Sequence, residues 1–268
     1  MLTPTQLVAV EALNAAANRA ARHGRVSFAP SFVRSPSADA PPPLARLIRG
    51  GRGGEVRLKI YLCLVMMATA EPFDVKNPPT PATWCRRLGL PSDSGPRRVT
   101  SNIKWLAANG FIELGPRRGY APPSIQLLSL EEKGEAFERA SLKGRYVGIP
   151  IEFWRNGWII TLSPTAIALL FALMESQGGY SEPRYVPKPR RAAYGFSHNT
   201  WTEARKELEE HKFLTVSRTP QGSDFDYQRL RNSYWIEEAR FMDKPGSSLR
   251  SYEDGMDWPQ DLSIRIPS

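Results

Sequence analysis

The sequence is poor in the residues that hold metals or form disulfides. Its 268 residues include two cysteines and three histidines. Cys63 and Cys85 are not spaced as metal ligands, and no histidine has a carboxylate or a cysteine at ligand spacing. We therefore predict no metal site and no cofactor. Both thiols are expected to be free and buried, as is usual in a reducing cytoplasm.

Long hydrophobic runs and catalytic motifs are lacking as well. The longest apolar run, 61–68, is much shorter than the roughly 18 residues that a helix needs to cross a membrane. The N-terminus has neither the cationic start nor the apolar segment of a secretory signal. Paired carboxylates, a nucleophile elbow and a Cys-His dyad cannot be assembled from the residues present. We expect a cytoplasmic protein that is not an enzyme and has no membrane partner.

Positive charge is in excess, and it is unevenly distributed. The chain has 36 lysines and arginines against 27 aspartates and glutamates, a net charge of +9. Residues 80–120 carry seven cations and two acids, whereas residues 237–268 carry four cations and seven acids. A basic balance concentrated in one segment favours a polyanionic partner, although a solvated basic surface is the alternative.

Residues 94–128 have the pattern of a helix followed by a two-stranded hairpin. The apolar residues Val99, Ile103, Leu106 and Ala107 recur at helical spacing. Ser94 is the predicted N-cap, and the dipeptide at 109–110, Asn-Gly, predicts the end of the helix. Apolar strands are predicted at 111–114 and 124–128, around a glycine-bounded tip at 115–119. The order is helix, strand, tip, strand.

The rest of the chain is divided by its composition. Residues 1–54 are predicted to form an Ala-rich helix with a thin apolar face and then a linker or partly ordered arm rich in proline and glycine. The remaining predicted segments are a first domain at 55–130, a connector at 131–148, a second domain at 149–237 and a C-terminal tail at 238–268.

The second domain repeats the pattern of the first. At an offset of 102 residues, like residues meet in four pairs: Thr100 and Thr202, Leu106 and Leu208, Phe111 and Phe213, Ile112 and Leu214. A helix beginning at Ser163-Pro164, a short basic helix at 188–194, a helix at 199–211 and strands at 213–218 and 230–236 are predicted. A shared offset across the end of a helix indicates a tandem repeat.

Segment 55–130 resembles the winged-helix families of bacterial regulators. The resemblance is carried by Arg97-Arg98-Val99-Thr100, Ile103, Leu106 and Gly110-Phe111-Ile112. Two such segments in tandem also resemble plasmid replication initiators, which place two winged helices on successive major grooves. The fold class that this implies is mainly α with small β-wings (α+β), arranged as two winged helix-turn-helix domains in tandem.

The resemblance implies a double-stranded DNA partner. The third helix of such a domain reads base edges in the major groove, and the wing contacts the backbone or the minor groove. In the first domain the predicted contacts are Arg97, Arg98, Ser101, Asn102 and Lys104 on the helix and Arg117 and Arg118 on the wing. Arginine pairs with guanine and asparagine with adenine. A solvated basic hairpin is the alternative reading of the wing.

The second domain has a less favourable charge pattern for DNA. The predicted contacts there are Arg190, Arg191, His198, Asn199, Thr200 and Lys206. The same helix carries four glutamates, at 203, 207, 209 and 210, and carboxylates facing phosphate are repelled. We therefore expect this domain to bind DNA weakly, or to bind a protein, including a second copy of the chain.

Three functions are compatible with this pattern. The leading hypothesis is a sequence-specific, nucleoid-associated transcriptional regulator that reads DNA with the 95–109 helix and the 115–119 wing. The first alternative is a replication initiator of a plasmid or mobile element that binds origin repeats. The second alternative is a tandem winged-helix scaffold in a DNA-organising complex, which the acidic second helix and tail favour.

Overall fold

The protein is a helix-rich molecule with three small antiparallel sheets. The computed structural model describes residues 2–21, 24–36, 40–49, 53–117, 119, 121–131, 135, 137–140, 144–221 and 229–247. The mixture of helices and small antiparallel sheets agrees with the predicted α+β class. No helix in these ranges combines the length and the apolar character that crossing a bilayer requires.

The first 49 residues form what we call the N-terminal layer. Its elements are α1 (Pro4–Arg19), β1 (Arg25–Phe28), α2 (Pro30–Val33) and α3 (Pro43–Ile48). The Thr3 hydroxyl accepts the Gln6 backbone N–H, and the Gln6 side chain accepts the Thr3 backbone N–H. Two backbone donors that have no partner within the helix are thus paired at the start of α1.

The first unit follows the N-terminal layer directly. Its elements are α4 (Gly54–Met67), β2 (Asp74–Val75), α5 (Pro81–Leu88), α6 (Gly95–Ala108), β3 (Ile112–Leu114) and β4 (Ile125–Leu127). The predicted helix, which ends at Ala108, and both hairpin strands are confirmed. The predicted side-chain cap of α6 is not formed, because the Ser94 backbone is helical and its hydroxyl makes no capping hydrogen bond.

The second unit follows a short connecting segment in the chain. That segment contains β5 (Val147–Pro150), α7 (Glu152–Arg155) and α8 (Trp158–Thr161). The unit itself consists of α9 (Pro164–Gln177), β6 (Arg184–Tyr185), α10 (Lys188–Ala193), α11 (His198–Glu210), β7 (Leu214–Gln221) and β8 (Arg229–Ile236), and a 3₁₀ turn (Glu238–Met242) follows it. The Ser163 hydroxyl caps α9, as expected from the sequence, and the Ser197 hydroxyl caps α11.

The two units have the same element order and the same sheet order. Each runs helix, short strand, helix, helix, strand, strand, and the sheets are ordered β2-β4-β3 and β6-β8-β7. The offset of 102 residues holds in the backbone: the N–H of Phe111 donates to Leu106 O at 3.0 Å and that of Phe213 to Leu208 O at 2.9 Å. Gly110 and Lys212, also 102 apart, both have positive φ. The repeat predicted from four residue pairs is thus a repeat of geometry.

The prediction of a linker or arm at residues 27–54 is wrong for the part that the structure describes. β1 pairs with β5, and α3 packs against both α4 and α9. The reason is a set of apolar residues that the surrounding prolines and glycines obscured; the buried ones are Phe28, Phe32, Val33, Leu44, Ala45 and Leu47. This segment therefore contributes to the core.

The predicted apolar face of α1, formed by Leu7, Val8, Val10 and Leu13, is buried only in part, at Val10 and Leu13. Leu7 and Val8 are about half exposed, at 52% and 49%. The buried face is instead formed mainly by alanines around Leu13, and it lies against α5 of the first unit and α7 of the connecting segment. Small side chains allow this close approach, so α1 bridges the two halves of the molecule.

One hydrophobic core runs through both units. A chain of aromatic contacts joins Phe111 to Tyr61 of α4 at 5.3 Å between ring centroids, Tyr61 to Phe32 at 5.6 Å, and Phe32 to Phe171 of α9 at 6.3 Å. All four rings are buried. Phe32 of the N-terminal layer is thus the link between the units.

Both cysteines are buried and free, as predicted. Burial raises the pKa of the Cys63 thiol to about 12, with the charges of Arg87 and Lys59 opposing that shift. A thiol with so high a pKa is not a nucleophile at neutral pH.

Candidate nucleic-acid interface

Helix α6 presents a basic, acid-free ridge to solvent. Its inner side is anchored by Val99 and Leu106, which are fully buried. Its outer positions, one helical turn apart, are all exposed: Arg97, Ser101, Lys104 and Ala108. The helix approaches α5 closely, since a Cβ placed on Gly95 would lie 2.6 Å from Cys85 Sγ. The ridge is therefore held on a rigid support.

Asn102 does not belong to this ridge. We expected it at the margin of the exposed face, but it is buried, and its side-chain amide donates to the Arg98 carbonyl oxygen at 2.8 Å. The cause is the approach of Gly53, where a Cβ would lie 3.2 Å from Asn102 Oδ1. Arg98 is half-buried on the same flank. Of the five contacts predicted on α6, the exposed ones are thus Arg97, Ser101 and Lys104.

The hairpin after α6 has an exposed cation near its tip. Arg117 is exposed, whereas Arg118, the second predicted wing cation, lies outside the described residues. The hairpin is closed by the Gly115 N–H, which donates to Ser124 O at 2.9 Å. A Cβ on Gly115 would lie 2.2 Å from Ser124 Oγ, so a larger residue there would require the Ser124 side chain to move.

One flank of α6 borders a cleft of about 520 Å³, which we call the arginine cleft. It is lined by Arg46, Arg49 and Arg57 from the end of the N-terminal layer and the start of α4, and by Ser101 and Trp105 from α6. None of the described residues that line it is acidic. Arg46 and Arg49 belong to the segment predicted to be a linker or arm, for which the sequence left open a basic arm that reaches DNA and a solvated tether; no function was predicted for Arg57.

Each arginine of this cleft is held by the backbone or by an aromatic ring. Arg46 donates to Asn109 O at 3.0 Å and lies over the Phe111 ring, while Arg57 lies over the Trp105 ring at 4.2 Å. Arg49 is exposed and donates one N–H to Gly195 O at 3.0 Å. Burial lowers the pKa of Arg57 from its usual value, although a guanidinium stays charged at neutral pH. The cleft is therefore a fixed array of positive charge.

The other flank of α6 borders an apolar groove of about 270 Å³. Its walls are Ile103, Leu114 and Ile125 together with five prolines: Pro78, Pro79, Pro81, Pro122 and Pro123. Lys104 and Arg117 also line it. The ridge of α6 thus separates a basic cleft from an apolar groove.

The corresponding ridge of α11 carries two carboxylates. The four positions equivalent to the α6 ridge are Asn199, Glu203, Lys206 and Glu210, and all are exposed. Glu203 lies 3.3 Å from Lys206 and so reduces its positive field. The other two glutamates are engaged elsewhere: Glu207 accepts the Ser163 backbone N–H at 2.7 Å, and Glu209 pairs with Arg205 at 3.3 Å. Only half of the acids that we expected to oppose DNA lie on the ridge.

Arg190, a predicted DNA contact of the second unit, is engaged in contacts within the protein. Its Nη2 donates to the buried Glu175 at 2.9 Å and its Nε to the Tyr194 hydroxyl at 3.0 Å. Arg34 and Arg145 also approach Glu175. Sequence reasoning missed this partner because Glu175 lies on another helix, inside an apolar stretch.

The first turn of α11 opens onto a second basic cleft of about 450 Å³, the α11 cleft. Lys188, Arg191, His198 and Arg231 line it, together with Trp201, and none of its described lining residues is acidic. Arg191 is held in place by donating to Val186 O at 2.9 Å and by lying over the Trp201 ring. Arg191, a predicted DNA contact, therefore lines this cleft, where its guanidinium is held in a fixed position.

The remaining predicted contacts of the second unit lie on α11, and among them His198 lines this cleft. His198 and Asn199 are exposed at the start of α11, and Lys206 is exposed on its ridge. Thr200 is half-buried, and its N–H and hydroxyl both pair with the Ser197 hydroxyl. Thr200 thus serves the helix cap.

The described residues contain no cluster of three or more histidines, cysteines or acids that would hold a metal ion. Comparisons with known protein families, with curated proteins and with solved structures found no match to this chain. The functional argument therefore rests on the geometry of the two units.

Proposed function

We propose that the protein is a sequence-specific double-stranded DNA-binding protein built from two winged-helix units. The observation that carries this proposal is the exposed ridge of Arg97, Ser101 and Lys104 on the third helix of a unit whose element order and sheet order occur twice in the chain. A protruding helix with cations and a small hydroxyl residue fits the major groove, where arginine recognises guanine.

The first unit is the principal reader in this proposal, and the second unit is auxiliary. The α6 ridge has two cations and no acid, whereas the α11 ridge has one cation and two acids. Each ridge carboxylate brought within a few ångströms of a phosphate is repelled. Arg117 on the hairpin adds a cation on the same side as Lys104, beside the apolar groove.

The test is selection of bound duplexes from a random library by the full chain, followed by affinity measurement on the winning sequence. Arg97→Ala should cost about 1–3 kcal/mol and relax the preference at one base position if this residue reads a base. Arg86→Ala removes an exposed cation from α5 as a matched control and should change neither. Selection that enriches no sequence would contradict sequence-specific reading.

We propose transcriptional regulation as the biological role. The second candidate, initiation of replication at repeated sites, is favoured by the shared core, because two units held at a fixed spacing suit iterated DNA repeats. Sequencing the DNA bound in cells separates the two roles: isolated promoter operators support the regulator, and direct repeats at an origin support the initiator. Retention of the chain in a complex with no bound DNA would support the scaffold instead.

A further inference from the structure

We propose that the arginine cleft and the α11 cleft form one continuous phosphate track, which carries the backbone of a single DNA duplex from the first unit to the second. This proposal rests on the proposed function and names the surface that joins the two readers. Its ligand is the phosphodiester backbone of duplex DNA.

The first step is the donor capacity of the arginine cleft. A guanidinium has five N–H donors, and Arg46 and Arg49 each direct one of them to a backbone carbonyl. Neither side chain has a carboxylate partner among the described residues. The remaining donors suit phosphate oxygens, which arginine binds with two parallel hydrogen bonds.

The second step is the contact that joins the two clefts. Arg49 donates to Gly195 O, and Gly195 directly precedes Phe196 and Ser197, which line the α11 cleft. Gly195 has a φ of +75°, and a Cβ there would lie 2.9 Å from the Ala45 Cβ in α3. The close approach of this turn to α3 brings the two clefts side by side, with Arg49 at the border.

The third step is the charge of the combined surface. Arg57 is buried and His198 is not counted as a cation. The other basic residues that line the two clefts are five: Arg46, Arg49, Lys188, Arg191 and Arg231. None of the described lining residues is acidic, although the chain as a whole contains three acids for every four cations. Two acids of α11, Glu203 and Glu210, lie on its ridge, and none of its four acids lines either cleft. This segregation of charge suits a polyanion that follows the surface.

The experiment measures the salt dependence of DNA binding for one variant in each cleft. Arg49→Gln and Lys188→Gln alter exposed side chains, and the double variant combines them in the full chain. With a labelled duplex carrying the selected sequence, removing one phosphate-binding cation should reduce the slope of log K against log salt by about 0.9. For the double variant the expected reduction is about 1.8 by simple addition.

Matched controls and footprints complete the test. Arg86→Gln and Lys244→Gln remove exposed cations that line neither cleft and should leave the slope unchanged. Hydroxyl-radical footprints of the unmodified chain should show backbone protection that continues between the sites of α6 and α11, with a gap in Arg49→Gln.

The outcomes separate this inference from the function on which it rests. If Arg97→Ala relaxes base preference while the cleft variants keep both the slope and the footprint, the track is overturned and the DNA reader stands. If the unmodified chain binds no duplex, the proposed function fails, and the track fails with it. A reduced slope in the two cleft variants, but not in the two controls, supports the track.

Discussion

Glu175 is the residue at which three separate parts of the chain meet. Its carboxylate is almost completely buried, and it accepts hydrogen bonds from Tyr194 at 2.6 Å and Arg190 at 2.9 Å. Arg34 from the N-terminal layer donates to it at 3.3 Å. A buried charge is tolerated only when it is paired and hydrogen-bonded, and Glu175 meets both conditions.

This cluster makes the stability of the fold sensitive to acid. Burial by itself raises the pKa of Glu175, but the hydrogen bonds from Tyr194 and Arg190 and the charges of Arg190 and Arg34 outweigh it, so the pKa is lowered. A group whose pKa is lower in the folded state adds stability above its unfolded pKa, about 4.3 for glutamate. That contribution is lost as the pH falls through the folded pKa.

We therefore predict that Glu175→Gln lowers the free energy of unfolding at pH 7 by about 2–3 kcal/mol. This is at or just below the lower end of the loss usual for breaking a buried ion pair, because Arg34 and Arg190 are partly exposed. Urea unfolding at pH 7 and near pH 4 should show that the variant loses less stability on acidification than the unmodified chain. Glu113→Gln, at an exposed site on β3, is the control. Equal pH dependence in the variant and the unmodified chain would contradict the role of Glu175.

Single residues were the hardest part of the site to predict. Arg97, Ser101 and Lys104 follow from helical spacing, and all three are exposed as expected. The burial of Asn102 and the ion pair of Arg190 were not foreseen, because their partners, Gly53 and Glu175, are distant in the sequence. Periodicity tells which side of a helix is apolar, but not which neighbouring element covers its margins.

At the scale of elements, α6 and α11 are equivalent helices with different ridges. They share the buried positions, the turn at the C-terminal end of the helix and the pairing of the strand that follows. Their outer faces differ at three of the four ridge positions, where Arg97, Ser101 and Ala108 correspond to Asn199, Glu203 and Glu210. The scaffold is thus kept while the surface chemistry of the two ridges differs, and function depends on that chemistry rather than on the fold.

Charge on the ridge should therefore control affinity for DNA. A carboxylate about 5 Å from a phosphate is repelled by about 1–3 kcal/mol at effective dielectric constants of about 80 to 20. Ser101→Glu should weaken binding of the selected duplex by about tenfold, whereas Glu203→Ser with Glu210→Ala should strengthen it. Fluorescence anisotropy measures both effects.

Ser181→Glu, an exposed change in the loop after α9, adds the same charge off the ridge and serves as the control. Equal weakening by Ser101→Glu and Ser181→Glu would mean that net charge, and not the α6 ridge, governs binding.

Most elements were predictable because local signals mark them. Proline in the first turn and a Thr or Ser cap mark α5 and α9, and Gly89 and Gly178 end them in the left-handed conformation. The two-residue strands β2 and β6 were missed because they are too short to show a period. The packing of α2 and α3 was missed because proline-rich composition was weighed above scattered apolar residues.

At the scale of the whole molecule, the two units do not have separate cores. From Val56 to Met66 every residue of α4 is buried, as expected for a helix covered on all sides by neighbours. Those neighbours include α3 and α9 as well as α6. The sequence repeat suggested two independent domains, but a repeat of order does not tell whether the units share a core.

A shared core predicts one cooperative unfolding transition for the full chain. Thermal unfolding monitored by tryptophan fluorescence and by circular dichroism should give coincident curves. Trp84 and Trp105 report on the first unit, Trp158 on the connecting segment and Trp201 on the second unit. Phe32→Ala, which removes the aromatic link between Tyr61 and Phe171, should lower the free energy of unfolding by about 3–5 kcal/mol while keeping a single transition. Leu7→Ala, at a half-exposed position of α1, should change it by no more than about 0.5 kcal/mol. Two resolved transitions in the unmodified chain would show that each unit folds around its own core, and the fixed spacing of the two readers would then lose its physical basis.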